Sequence, residues 1–259
     1  MIPLFKSDFS IGKSILTLDD PDGSDREAVS VFKLATEADL RQIVLVEDSL
    51  TGFLKAKKGA GDNDIQLIFG LRISCCDDAQ KEIPKGGDLT EHKIIIFALN
   101  STGCILLNKI YSWAFTEGHG RLDAQALSLL WDENHLRLVI PFYDSFIFNN
   151  LTSFKTCVMD FSFCSPTFFL EDHNLPFDAL VREKVLTYTS TENYPTEEVH
   201  TIYYASKEDF SAYQTYKCIC KRASFGRGST LAKPNLDHCG SDEFSFESWH
   251  KKTRATAGF

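Results

Sequence analysis

The chain has 259 residues, 43% of them hydrophobic and 24% charged, with 21 Phe; this is a globular composition with an aromatic-rich interior, and it excludes disordered and collagen-like classes. No apolar run approaches the roughly 18 to 20 residues that span a bilayer, and Met1–Lys6 shows no basic segment leading into a long apolar one, so neither a membrane protein nor an exported one is expected. A formal charge of −9 opposes non-specific attraction to phosphate backbones and predicts weak DNA binding by the chain alone, and eight cysteines without export read as reduced, mostly buried thiols of a cytoplasmic protein.

In chain order, the apolar opening Ile2–Phe5 leads to the turn residues Asp19-Asp20-Pro21-Asp22-Gly23-Ser24-Asp25. Asp25 is the expected N-cap of a helix carrying Ala28, Val31, Phe32 and Ala35 at helical spacing. That helix ends near Gln42, before the continuous apolar strand Ile43-Val44-Leu45-Val46. Strands are expected at Ile65–Ile73 and Ile94–Leu99, an amphipathic helix over Cys104–Phe115, a helix over Asp123–Leu130 and a strand over Leu136–Ile140. Strand Thr167–Leu170, helix Asp178–Tyr188, strand Thr201–Tyr204 and helix Glu208–Cys220 continue the alternation. Continuous apolar strands alternating with helices predict an α/β fold, a parallel sheet covered by helices that is either doubly wound or closed as a barrel. No dinucleotide fingerprint or internal repeat chooses between the two. Residues 1–223 are expected to form the domain, and the tail Ser224–Phe259, poor in aliphatic residues, an extension or linker whose Phe244, Phe246 and Trp249 anchor a partner.

Several short motifs carry chemistry. Gly12-Lys13-Ser14 ends like a phosphate-binding loop, but Ser7 stands where the first glycine of such a loop belongs. Cys218, Cys220, His238 and Cys239 are zinc-type donors at unsuitable spacing, and Cys75-Cys76 read as small residues packed at a strand end. Lys217, Lys221, Arg222, Arg227 and Lys233 occur without an intervening acid, where Gly226, Gly228 and Pro234 mark a solvated loop. Metal hydrolases gather carboxylates and imidazoles at strand ends. Glu47 and Asp48, directly after an apolar strand, and His119 in a Gly-His-Gly loop are the candidates of that kind; the plainer reading is a solvated turn and an ordinary loop histidine.

Stretches taken in order along nearly the whole chain resemble the PHP (polymerase and histidinol phosphatase) domain at the N-terminus of bacterial and phage C-family DNA polymerase III α subunits. Lys6-Ser7-Asp8-Phe9-Ser10 is similar to that family's His-Ser-Glu-Tyr-Ser, Val46-Glu47-Asp48-Ser49 to its Thr-Asp-His-Gly, and Ile68-Phe69-Gly70-Leu71-Arg72 to its Ile-Ile-Gly-Cys-Glu. Arg121-Leu122-Asp123 resembles Arg-Ile-Asp, and Leu170-Glu171-Asp172-His173-Asn174-Leu175-Pro176 resembles Leu-Gln-Asp-His-Gly-Leu-Pro. The resemblance implies a distorted (βα)7-type barrel, mostly parallel, with outer helices and a polynuclear metal site at the strand ends.

It also implies that this site is degenerate. Leu4 and Lys6 stand at the two histidines of the family's His-x-His, Glu47-Asp48 at its Asp-His, Arg72 at its glutamate, and Thr201 and Tyr203 at its Asp-x-His. Asp8, Glu47, Asp48 and His119 remain as residual metal candidates, while Lys6 and Arg72 put cations where cations would bind. The expectation is a module without catalytic residues or cofactor, acting structurally in DNA replication with a polymerase core or proofreading exonuclease as partner. The alternatives are a manganese- or zinc-dependent phosphoesterase or 3′–5′ exonuclease with a rearranged site, and a phosphate or nucleotide sensor using Lys6, Arg72 and His119.

Overall fold

The structure is a computed structural model and describes residues 1–19, 28–82, 91–152, 159–221 and 240–257. The chain divides into two compact units: Met1–Phe69 with Glu171–Asp178 and Val199–Phe259, and Gly70–Leu170 with Ala179–Glu198.

In the first unit, β1 (Ile2–Phe5) runs parallel to β2 (Gln42–Glu47), with Leu4 opposite Val44 and Phe5 opposite Leu45. Five of the six β2 residues are buried, as a central parallel strand requires. The helix α1 (Val31–Glu37) starts later than Asp25: Ser30 is its N-cap, the hydroxyl accepting from the Phe32 N–H, while Asp25 lies outside the described residues. The chain then forms α2 (Phe53–Asp62) and enters β3 (Gln66–Cys75), which also pairs with β2.

The second unit contains β4 (His92–Ala98), α3 (Ser101–Thr116), β5 (Arg121–Leu122), α4 (Ala124–Leu130), β6 (Leu136–Ile140), α5 (Phe146–Thr152), β7 (Thr167–Leu170) and all of α6 (Asp178–Glu192) beyond its first residue. Asn100 and Asp123 cap α3 and α4 by accepting from the N–H groups of Gly103 and Ala126. β8 (Thr196–Ile202) begins five residues before the expected Thr201 and ends two before the expected Tyr204. Back in the first unit, a 3₁₀ turn (Lys207–Asp209), α7 (Phe210–Lys221) and α8 (Phe246–Ala257) follow.

Strand neighbours run β2-β1-β8-β7-β6-β4-β3-β5, and the β2–β3 pairing returns this order on itself, so that all but β5 form a closed, barrel-type circuit. The α/β class is as expected, but the strands are mixed rather than mostly parallel: β4 is antiparallel to both β3 and β6. The anchoring role expected of Phe244, Phe246 and Trp249 is a second correction. Phe244, Phe246 and Trp249 are buried, and Phe246 and Trp249 share a core cluster with Phe5, Phe32, Ile43 and Leu45 of the same unit, so they serve the fold and not a partner.

Candidate functional site

Parallel pairing brings the C-terminal ends of β1 and β2 side by side, and the residues that leave them form one polar network. The turn after β1, closed by the Ser10 N–H on the Ser7 carbonyl at 3.1 Å, aims two hydroxyls at Glu47. Glu47 is completely buried. Its Oε1 accepts from the Ser7 N–H at 2.9 Å and the Ser7 hydroxyl at 2.6 Å, and its Oε2 accepts from the Ser10 hydroxyl. Ser10 Oγ in turn accepts from the Asp48 N–H at 2.9 Å and from Lys6 Nζ at 3.5 Å. Lys6, only 4% exposed, brings its ammonium to Asp48 Oδ1 at 2.8 Å. Burial pushes the Glu47 carboxyl above its ordinary 4.5, against smaller opposing effects of Lys6 and the two serines.

This arrangement does not suit a divalent cation. Both Glu47 oxygens are committed to donors, and Asp48 is committed to an ammonium that would repel the metal. Among the described residues no group of three or more His, Cys, Asp and Glu side chains could hold a metal ion.

Of the other expected residues, Leu4 is core and Asp8 is exposed on the Ser7–Ser10 turn, with its N–H on the Leu16 carbonyl at 2.7 Å. Arg72 and His119 belong to the second unit, Arg72 ion-paired with Asp144 and His119 exposed in the turn after α3 at φ +53°. Thr201 contributes its N–H to Glu171 at 2.9 Å, and the Tyr203 ring stacks on Tyr213 and Phe244 at 5.5 and 5.3 Å.

Gly12-Lys13-Ser14 makes no phosphate cradle: the Gly12 N–H donates to the Tyr216 hydroxyl and Ser14 to the Tyr203 carbonyl. Lys217 of the basic run is buried, with its ammonium 5.9 Å from the Tyr213 ring, while Arg222, Arg227, Lys233, His238 and Cys239 lie outside the described residues.

Ser7 and Ser10 have no task that the sequence alone assigns; the signal is two hydroxyls three apart, leaving a strand beside a Glu-Asp pair. A second buried network in the first unit has no sequence signal of its own. There Glu171 Oε2 accepts from His173 Nε2 at 2.8 Å as well as from Thr201, and the His173 ring stacks on Phe244 at 3.7 Å and lies 4.3 Å from that of His200. Asp178 accepts the N–H groups of His173 and Leu175, which fixes the Glu-Asp-His-Asn-Leu-Pro turn. With Glu171, His173, Asp178 and His200 all buried, this group holds structure and offers no surface to a substrate. No family model and no curated protein matches the sequence.

Proposed function

We propose that the chain is a PHP-like barrel domain whose metal-hydrolase centre has given way to a fixed network of hydroxyls and ion pairs, and that it serves as a structural or interaction module of a DNA replication assembly. The observation that carries this reading is Lys6. At a position that the resemblance assigns to a metal-binding histidine, its buried ammonium is locked to Asp48, next to a Glu47 whose oxygens are both in use. The barrel-type strand circuit and the order of strands and helices support the same reading.

A phosphoesterase would have to dislodge Lys6 from Asp48 and two serines from Glu47 before a cation could enter. A phosphate sensor would have to compete with carboxylates already bound to Lys6 and Arg72. The module reading needs neither rearrangement, and its partners are a C-family polymerase core or a proofreading exonuclease.

Two measurements test it. The purified chain should not hydrolyse bis(p-nitrophenyl) phosphate or the 3′ end of a DNA oligonucleotide, with or without manganese, and affinity capture from its own cells should recover a polymerase core or exonuclease. Manganese-dependent hydrolysis abolished by Glu47→Gln would put the phosphoesterase first. Capture without any replication protein would refute the partner assignment.

A further inference from the structure

The second unit contains three soft donor atoms that the proposed function does not use. Cys75 ends β3 and His92 begins β4, and the antiparallel register sets them opposite one another, so their side chains leave the same face of the sheet within a few ångströms. Met159, from the connection between α5 and β7, brings its thioether to both: Sδ lies 3.4 Å from His92 Nε2 and 3.9 Å from Cys75 Sγ. All three are buried, Cys75 at 1%, His92 at 3% and Met159 at 6% exposure. We propose that Cys75, His92 and Met159 form a binding site for a soft monovalent cation, copper(I) by its chemistry.

Geometry is the first argument. A d¹⁰ ion about 2.3 Å from each sulfur and about 2.0 Å from an imidazole nitrogen, at angles between tetrahedral and trigonal, needs S···N near 3.5–3.7 Å and S···S near 3.8–4.0 Å. The two separations fall within a few tenths of an ångström of those values. Two of the three donor pairs thus stand at coordinating separation, and the register places the third pair, Cys75 and His92, opposite one another on adjacent strands.

Donor type and charge are the second. Thiolate, thioether and imidazole select copper(I), whereas magnesium, calcium and manganese want oxygen. One thiolate neutralises one monovalent cation. A divalent ion would leave a net positive charge beside an aromatic cluster: His92 meets Phe146 edge-on at 5.9 Å, and Phe146 meets Phe161 and Phe168 at 6.0 and 6.4 Å. Such a charge in apolar surroundings is strongly disfavoured. None of the three residues stands at a position that the PHP resemblance assigns to metal, so this site is independent of the fate of that reading.

The chain has two methionines, Met1 and Met159, which makes the test direct. The full chain, labelled with ¹³C-methyl methionine, is titrated without oxygen first with silver(I), the redox-inert analogue, and then with copper(I) held by a competing chelator. The Met159 resonance is expected to shift and saturate at one equivalent while Met1 stays in place. Met159→Leu, which conserves volume, and Cys75→Ala should each weaken the tightest copper(I) equivalent at least tenfold, and the double change Cys218→Ala/Cys220→Ala should leave it unchanged. A Met159 resonance that stays fixed while silver(I) binds would assign the metal to other thiols and overturn the proposal. Unchanged affinity in Met159→Leu, or no binding at micromolar ion, would overturn it equally, and the labelled wild-type titration decides even where Cys75→Ala fails to fold.

Discussion

Glu47 is a fully buried acid whose charge depends on three donors and one cation. Removing the acceptor altogether in Glu47→Ala leaves the Ser7 N–H and two hydroxyls unmet, and should cost about 2–4 kcal/mol. Glu47→Gln, which keeps shape and one acceptor oxygen, should cost less; denaturant unfolding of the two variants checks the order. Burial raises the folded pKa of Glu47, so the unfolded chain ionises first as pH rises, and this group's contribution to stability falls from about pH 4.5 upward until the folded carboxyl has ionised too. Buried histidines work with the opposite sign. Burial lowers His92 to about 4 and His200 to about 2, His200 with further help from His173 and Lys252. On acidification below about 6.5 the unfolded chain takes up these protons first, so stability is lost down to about pH 4 for His92, on the order of 3 kcal/mol for that residue, and further for His200. The melting temperature should therefore fall steeply between pH 6.5 and 4, and His92→Gln, neutral throughout, should flatten that limb; an unchanged limb would show that His92 is protonated in the fold.

At the scale of elements, α8 and the entry into α3 are the sensitive points. Trp249 packs with Phe246 at 5.2 Å and donates its indole N–H to the Met1 carbonyl at 3.2 Å, tying the tail to β1. Trp249→Ala should cost about 3–5 kcal/mol in equilibrium unfolding, a loss that a dangling linker would not show. In α3, a Cβ at Gly103 would lie 2.1 Å from the His135 carbonyl oxygen, so Gly103→Ala should destabilise by about 1–3 kcal/mol even though alanine is the better helix former. Elements were legible in sequence where burial is one-sided or continuous: Leu136–Ile140 and Thr167–Leu170 are strands with the expected bounds, and Cys104–Phe115 lies inside α3. α2 was hard to read because the inward face of Phe53–Asp62 is made of small residues, with Ala56 and Ala60 buried beside a partly buried Phe53, in a stretch that also holds two glycines. The direction of β4 was hidden for another reason: an apolar run buried on both faces looks the same whichever way its neighbours run. In the candidate site the charges were readable one by one, but pairing was not, since Lys6 finds Asp48 42 residues away and Arg72 finds Asp144 72 residues away.

For the molecule as a whole, the disposition of its cations sets how it meets nucleic acid. Acidic residues outnumber basic ones by 36 to 27, and many of the basic side chains are already engaged within the fold. Lys6 is bound to Asp48, Arg72 to Asp144, Lys55 to Asp19, Arg182 to Glu198, Lys207 to Asp242 and Glu243, and Lys251 to Glu247. Arg121, buried, spends its guanidinium on the carbonyls of Gly118, Ala79 and Lys81. Phosphate affinity grows with the number of counterions that free Lys and Arg displace, and the slope of log K against log salt is about −0.9 per phosphate neutralised. With the cations so engaged, the isolated chain should bind duplex or single-stranded oligonucleotides no tighter than about 10⁻⁴ M at physiological salt, with a slope shallower than about −2 between 50 and 200 mM. Fluorescence anisotropy of a labelled oligonucleotide over that salt range measures both. Weak binding with a shallow slope fits the proposed module, in which contact with nucleic acid would be left to a polymerase or exonuclease. Micromolar binding with a steep slope would mean that a basic surface engages DNA directly, and the module reading would give way to a nucleic-acid-binding one.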